Sequence, residues 1–209
     1  SEALSFKEAI NAVHLRGKYM QESVPVGKGS MLAVLNLKID EVDNYIQEVR
    51  KNSEQICEIA NDNSIGQIIV SGETEIIKRL NQNLSKNKKK SLLLPVSAPF
   101  HCSLMKSAAE KMKDILKNID FKTPKIPIVT NVTAEQNLDQ NLIEELLIKQ
   151  IYSKVRWRES LNYIHANQVD TFIEIGPGKV LSGMVKRTLK NVKSFSINNI
   201  EDIKTLNNV

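Results

Sequence analysis

The sequence predicts an α/β protein, and three of its features carry that prediction. Its 209 residues suffice for one large domain, or for a medium domain that carries a smaller one. Residues 28–96 contain strand-like and helix-like segments in the order β-α-β-β-α-β, which is typical of a ferredoxin-like unit. Residues 97–209 alternate between strand-like and helix-like segments, which is typical of a parallel sheet covered by helices.

The first predicted element is a helix that begins after Ser5. Ser5 and Glu8 have the S-x-x-E spacing of a capping box, and Pro25 and Gly27 predict where the helix ends. Arg16 follows two small residues on one side of this helix rather than standing among other charges. An apolar stripe at helical intervals completes the pattern: Phe6, Ile10, Val13, Gly17 and Met20.

The ferredoxin-like unit comes next. Turn-forming residues at 61–66 predict a loop between its second and third strands. The apolar run at 91–96 predicts a buried fourth strand. The predicted elements are strands over 30–37, 56–60, 67–70 and 91–96, and helices over 40–51 and 72–85.

The remainder of the chain predicts alternating helices and strands. Its first helix carries an apolar stripe at Leu104, Ala108, Met112, Ile115 and Ile119. The later segments are strands over 126–130, 172–175 and 194–197, with helices around 143–150, over 155–166 and up to residue 190.

The charge of the chain is mildly basic, with 29 Lys and Arg against 24 Asp and Glu and a net charge of +5. Aromatic residues make up only 5% of the sequence, whereas nucleic-acid binders that stack bases need aromatics within their basic clusters. The excess of lysine fits an acidic protein partner or a phosphorylated ligand, and it equally fits an ordinary solvated surface.

Cysteine usage and hydropathy exclude other classes. Cys57 and Cys102 lie far apart, with no C-x-x-C and no histidine at zinc spacing, so neither a disulfide framework nor structural zinc is predicted. No apolar run approaches the roughly 18 residues of a membrane span. No basic segment followed by an apolar one opens the sequence. We therefore expect a reduced, cytoplasmic protein that binds neither membrane nor nucleic acid.

His101 is the leading candidate for chemistry, because it follows a strand and stands at the start of a helix. Ligand-binding and catalytic groups collect at the carboxyl ends of strands in open α/β sheets. A helix N-terminus disfavours the imidazolium form, which suits a general base. The alternative is a capping or half-buried structural histidine. His14 and His165 lie on predicted helices without such a context, and a surface position is expected for both.

No nucleophile for such a base is visible. The sequence contains no G-x-S-x-G. Ser30 opens a strand, which is the wrong context for a nucleophile elbow, and Cys102 adjoins His101, where neighbouring side chains do not face each other. Gly176-Pro177-Gly178-Lys179 hints at phosphate binding but fails the P-loop pattern, so it predicts a tight turn.

Six segments resemble those of malonyl-CoA:acyl carrier protein transacylases, in the same order and over essentially the whole chain. They are LRGKYMQESVP at 15–25, GKGSM at 27–31, NDNSIGQ at 61–67, PVSAPFH at 95–101, NV at 131–132 and EIGPGKVL at 174–181. The resemblance implies an α/β-hydrolase-like large subdomain (1–27 and 97–209), interrupted by the ferredoxin-like small subdomain (28–96).

The resemblance also implies a reaction and a site. In this family a malonyl group moves from malonyl-CoA to the pantetheine thiol of acyl carrier protein through a serine ester, with the coenzyme A thioester as substrate and neither cofactor nor metal. By resemblance, His101 is the catalytic base and the backbone carbonyl of Gln150 orients it. Arg16 pairs with the malonyl carboxylate, and Asn63 contributes to substrate binding.

Two departures from the family pattern qualify these expectations. The family's nucleophile elbow, G-H-S-x-G, and its oxyanion-hole glutamine stand before the segment that matches residue 1. The chain alone is therefore expected to lack the nucleophile and to be inactive. A proline that often follows the region of Gln150 is replaced by Lys154, which predicts a less rigid loop. The alternative function is a non-catalytic module that retains the fold and docks acyl carrier protein.

Overall fold

A computed structural model describes residues 1–204 and confirms the predicted α/β fold. The helices are α1 (Phe6–Glu22), α2 (Ile39–Arg50), α3 (Thr74–Lys86), α4 (Lys106–Leu116), α5 (Gln140–Tyr152), α6 (Trp157–Ala166), α7 (Val180–Thr188) and α8 (Ile200–Ile203). The strands are β1 (Gly29–Leu35), β2 (Cys57–Ser64), β3 (Gln67–Glu73), β4 (Lys90–Leu93), β5 (Ile128–Val129), β6 (Gln136–Asn137), β7 (Thr171–Ile175) and β8 (Lys193–Ile197). A short 3-10 helix, Ser103–Met105, precedes α4.

Four strands form an antiparallel sheet in the order β2-β3-β1-β4. Helices α2 and α3 cover one face, where Leu32 and Val34 of β1 are fully buried. The other face carries a smaller cluster that includes Met31 and Ala33, with Phe100 packed against it. Because β1 is buried on both faces, its sequence is a continuous apolar run rather than an alternating one.

Both edge strands of this sheet differ from their prediction. Residues 61–66 were predicted as a loop, but β2 continues to Ser64 and a two-residue turn at Ile65 and Gly66 leads into β3. Gly66 has a φ of 73°, which a glycine adopts without cost. Shifts of register along β2 accommodate the polar residues within the strand. At the other edge, β4 was predicted to be buried, but Leu92 is 62% exposed.

A second layer is built from α1, α4 and α5. Ala12 and Met20 of α1 pack with Ala108 and Met112 of α4. Most of the α1 stripe that the sequence predicts to face a core lies on the surface instead, although Met20 is buried. Within residues 1–204, Phe6, Ile10 and Val13 are 81%, 54% and 68% exposed. Small side chains determine this arrangement, because they let two helices approach closely.

The final part of the chain contains a parallel pair, β7 and β8, joined by α7. Parallel pairing follows from the strand-helix-strand order in the sequence. Leu161 of α6 and Val185 of α7 form the core beneath the pair. None of the helices within residues 1–204 combines the length and the apolar character needed to cross a bilayer.

Candidate active site

His101 lies in the turn between β4 and the 3-10 helix, and its ring is held by a backbone carbonyl. The ring Nδ1 is 3.0 Å from the carbonyl oxygen of Gln150. A carbonyl oxygen only accepts hydrogen bonds, so Nδ1 carries the proton and Nε2 presents a lone pair. Within residues 1–204, Nε2 has no hydrogen-bond partner. This tautomer is the one that a general base requires.

The surroundings of His101 keep the imidazole neutral. Burial lowers its pKa below the ordinary value, and the positive charge of Arg16 lowers it further, while the hydrogen bond to Gln150 acts in the opposite direction. A helix N-terminus, which the sequence predicts next to His101, is not the cause of this effect. Helix α4 begins only at Lys106, and burial is the main cause.

Arg16 is the cation whose charge acts on the pKa of this base. It lies on α1, half-buried, and burial lowers the pKa of its guanidinium. Within the described residues 1–204, it has neither an ion pair nor a hydrogen bond. It lines a cleft of about 150 Å³ whose other walls are apolar: Leu4, Ala9, Ala12, Val13, Met112, Leu116, Leu147 and Ile151. A guanidinium without a partner in such a cleft can bind a carboxylate.

Gln150 lies in the last turn of α5, where backbone carbonyls lack partners within the helix. Its own carbonyl is thereby free to accept the His101 ring. The loop that follows contains Lys154 and was predicted to be less rigid. The residue after Lys154, Val155, forms two backbone hydrogen bonds: its N–H donates to the Ala60 carbonyl at 2.8 Å, and its carbonyl accepts from Asp62 N–H at 2.9 Å.

The structure offers less support for a role of Asn63 than for the roles of the other predicted site residues. It lies half-buried on β2, and within residues 1–204 its side chain makes no hydrogen bond to His101, Gln150 or Arg16. Its neighbour Asp62 is buried and engaged by Arg158 through contacts of 2.9, 3.1 and 2.7 Å. In the structure, the His101 ring therefore contacts the Gln150 carbonyl, and the charge of Arg16 lowers the pKa of His101. Asn63 lies on β2 and forms no hydrogen bond with any of these three residues within the described part of the chain.

Glu58 is a residue of this region that the sequence analysis missed. Its two carboxylate oxygens accept from the N–H of Ser103 at 2.8 Å and from the hydroxyl of Ser103 at 2.6 Å. Ser103 is two residues beyond His101. The only signal in the sequence is a charged residue inside a predicted strand, which by itself indicates no partner.

The alternative nucleophile at Cys102 is inactive in this arrangement. Its thiol is buried and donates to the Pro99 carbonyl at 3.1 Å. Burial raises the pKa of Cys102 to about 11, so the thiol stays protonated. Among residues 1–204, no cluster of His, Cys, Asp and Glu could hold a metal ion.

The glycine turn after β7 does not present its helix terminus to a ligand. Glu174 accepts hydrogen bonds from Leu181 N–H at 3.1 Å and Ser182 N–H at 2.8 Å, at the start of α7. Asn198 accepts from Gly178 N–H at 2.5 Å. These contacts fit the interpretation of a tight turn rather than a phosphate site.

Comparison with known proteins agrees with this fold. The acyl transferase domain family matches residues 1–206, and the chain belongs to that family. Within it, the chain is similar to the malonyl CoA-acyl carrier protein transacylase of Bacillus subtilis (strain 168), with 40% identity over 203 residues. That match covers 97% of this chain and 64% of the relative, so the chain spans slightly less than two thirds of that protein.

Solved structures show the same likeness. The crystal structure of a malonyl CoA-acyl carrier protein transacylase from Clostridium perfringens has a TM-score of 0.94 and 39% identity, over 100% of this chain and 66% of that one. A malonyl-transacylase in complex with its type II PKS acyl carrier protein has a TM-score of 0.92 and 37% identity, over 99% of this chain and 67% of that one.

Proposed function

We propose that the protein transfers a malonyl group from malonyl-CoA to the pantetheine thiol of acyl carrier protein, and that this chain supplies the base and the carboxylate-binding residue. The observation that carries the proposal is the His101–Gln150 contact of 3.0 Å, which leaves Nε2 with a free lone pair. The charge of Arg16 acts on the same ring, and within residues 1–204 its guanidinium has no partner. The relatives that match over almost the whole chain are malonyl transacylases, which supports the choice of acyl group.

The mechanism has two half-reactions. His101 Nε2 removes the proton of a serine hydroxyl as its oxygen attacks the thioester carbonyl, and coenzyme A leaves as the thiol after taking that proton. In the second half-reaction, His101 removes the proton of the pantetheine thiol. The sulfur attacks the serine ester, and the serine recovers its proton. The coenzyme A thioester is a substrate, and neither step requires a cofactor.

We place the nucleophilic serine and the oxyanion-hole glutamine of this mechanism in a part of the protein outside residues 1–209. The resemblance supports this, since the nucleophile elbow of the family stands before the segment that matches residue 1. The geometry agrees, because within residues 1–204 no serine hydroxyl is within hydrogen-bond distance of His101 Nε2.

Arg16 selects the acyl group in this proposal. A planar guanidinium binds a carboxylate with two parallel charge-assisted hydrogen bonds, and desolvation strengthens them. The apolar cleft around Arg16 provides that desolvation. Asn63 is the second substrate-binding residue that we propose, from its place on the strand beside Asp62.

We further propose two subdomains. Residues 28–96 form a ferredoxin-like small subdomain, and residues 1–27 and 97–209 belong to an α/β-hydrolase-like large one. The antiparallel order β2-β3-β1-β4, with α2 and α3 on one face, supports the first assignment. The parallel β7–β8 pair joined by α7 supports the second.

Acyl carrier protein is the proposed partner, and the solved complex of a similar transacylase supports it. A basic surface suits an acidic carrier. Arg156 and Arg158 are not available for it, because they pair with Glu159 and Asp62. Five other cations are candidates for this surface and have no ion pair within the described residues: Lys88, Lys89, Lys90, Lys186 and Arg187.

The test is to incubate the complete protein with radiolabelled malonyl-CoA and to map the label to a peptide. We expect an acyl-serine ester that acyl carrier protein discharges. His101→Ala should slow ester formation about 100- to 10,000-fold, which is the usual contribution of a positioned base. Normal ester formation by that variant, or a label on Ser30 or Ser103, would refute the assignment. Binding of carrier protein without any ester would favour the docking module.

A further inference from the structure

Glu58 joins the antiparallel sheet to the turn that carries His101. It is half-buried on β2, and both of its carboxylate oxygens are used by a single residue, Ser103, at 2.8 Å and 2.6 Å. Hydrogen bonds to an ionised carboxylate are shorter and stronger than neutral ones, and two from one residue fix its orientation. The contact therefore anchors the chain two residues beyond the base.

The backbone of His101 needs such an anchor. Its φ is 57°, in the left-handed region that residues with a Cβ disfavour. A conformation of this kind persists only where the surrounding structure imposes it. Within the turn itself, Cys102 Sγ donates to the Pro99 carbonyl across His101. After His101, the chain is fixed by the hydrogen bonds of Ser103 to Glu58, which lies on β2.

The same strand also anchors the partner of His101. The backbone of β2 at Ala60 and Asp62 forms hydrogen bonds of 2.8 Å and 2.9 Å with both sides of Val155. Val155 lies five residues beyond Gln150 and three residues beyond the end of α5 at Tyr152. Strand β2 therefore holds both chain segments that meet in the contact between the His101 ring and the Gln150 carbonyl.

We propose that Glu58 is a positioning residue for the general base. Its carboxylate holds the turn after His101, so that Nδ1 stays on the Gln150 carbonyl and Nε2 keeps its direction toward the reacting hydroxyl. This inference rests on the proposed malonyl transfer. Glu58 touches neither substrate nor the reacting atoms and acts only through the position of His101.

The test compares variants of the complete protein in single-turnover acylation by malonyl-CoA. Glu58→Ala should lower the acylation rate constant about 10- to 100-fold, because displacement of a catalytic group by about 1 Å has an effect of that size. The KM for malonyl-CoA should stay within about twofold, since Arg16 is untouched. Ser103→Ala removes one of the two hydrogen bonds, and Glu58→Gln can accept only one, so both should show smaller losses.

A spectroscopic signature separates positioning from general stability. The Nδ1 proton of His101, hydrogen-bonded to the Gln150 carbonyl, should give a downfield proton resonance that His101→Ala removes. Glu58→Ala should weaken or broaden that resonance. Glu73→Gln is the matched control, because the Glu73 carboxylate accepts from Ile56 N–H at 3.1 Å on the same sheet and does not contact the His101 turn. It should leave the resonance and the rate unchanged.

The outcomes distinguish this inference from the function on which it rests. If the wild type forms no ester, or His101→Ala forms it normally, the proposed function fails. If His101→Ala is inactive and Glu58→Ala acylates normally with the resonance intact, only the positioning role fails. If Glu58→Ala does not fold, normal rates in both Glu58→Gln and Ser103→Ala overturn the proposal. Equal losses in Glu58→Gln and Glu73→Gln overturn it as well.

Discussion

Arg16 has no counter-charge among residues 1–204, and its proposed role can be tested by its effect on substrate choice. In the complete protein, Arg16→Ala should weaken transition-state binding in malonyl transfer by about 2–4 kcal/mol, because a desolvated charge-assisted pair is lost. Acetyl transfer should be spared or improved. The kcat/KM for malonyl-CoA and for acetyl-CoA provides the measurement, with Lys18→Ala on the same helix as control. Equal losses for both substrates would exclude the role.

We expect the protonation of His101 to determine the pH dependence of acylation. Its pKa is lowered in the folded protein, so the acidic limb of the rate profile should fall below the ordinary value of about 6.5. Arg16→Ala removes a positive charge that opposes protonation and should move this limb to higher pH. Acetyl-CoA is the suitable substrate, because its acyl group has no carboxylate that could bind Arg16. A limb that moves to lower pH, or stays in place, would contradict the coupling.

The lowered pKa of His101 also affects stability. The unfolded chain binds a proton more readily than the folded chain, so the free energy of unfolding decreases as the pH falls through about 6.5. The contribution of His101 is fully present above that pH.

Individual residues were predictable from the sequence to different extents. His101 could be found from its place after a strand. Arg16 stood out only by resemblance, since its lack of a partner is a property of the folded chain. Gln150 acts through its backbone, which any residue could supply, so its identity carries no signal. Glu58 depends on a contact with Ser103, 45 residues away, and no local pattern encodes such a pairing.

At the scale of elements, the start of β1 and the turn before His101 approach each other closely. A Cβ at Gly29 would lie 2.3 Å from the ring of Pro99. Gly29→Ala should therefore destabilise the protein by about 1–3 kcal/mol, the usual cost of overpacking. Urea unfolding measures the change. Gly183→Ala is the control, because a Cβ there meets only the end of the Arg187 side chain at 3.7 Å. Gly29→Ala with unchanged stability would contradict the close contact.

Most helices and strands were predictable because their apolar patterns are local. Capping at Ser5 and Glu8 is observed as expected. The edges of the antiparallel sheet were harder to predict, since polar residues at 61–64 resemble a loop in sequence. They form a strand because β3 on one side and Val155 on the other satisfy their backbone. The surface position of the α1 stripe depends on which helices pack together, which one helix alone does not encode.

For the whole molecule, the charge distribution leads to a prediction about salt. Charges at the rim of an interface act mainly on association and are screened over about 8 Å at physiological ionic strength. Transfer from the acyl-enzyme to acyl carrier protein should therefore weaken as salt rises, while loading from malonyl-CoA changes less. Stopped-flow or quenched-flow rates of each half-reaction over a range of salt concentrations provide the measurement.

Substitutions can then locate the basic surface. Two sets can be replaced by alanine separately: Lys88, Lys89 and Lys90 in one variant, and Lys186 and Arg187 in another. The set that faces acyl carrier protein should be the one whose replacement reduces the salt dependence of transfer to the carrier. Arg156→Ala is unsuitable for this purpose, because it breaks the pair with Glu159. Identical salt responses of the two half-reactions would show that no dedicated basic patch serves the carrier.

The protonated thiol of Cys102 has a consequence for the fidelity of acyl transfer. The proposed reaction passes an acyl group between sulfur and oxygen, and any thiolate next to the base would compete to receive it. Cys102 directly follows His101, but it is buried, donates to the Pro99 carbonyl and has a pKa of about 11. Very little thiolate therefore exists there near neutral pH. In the proposed reaction, we therefore expect no diversion of the acyl group onto Cys102 as an unproductive thioester.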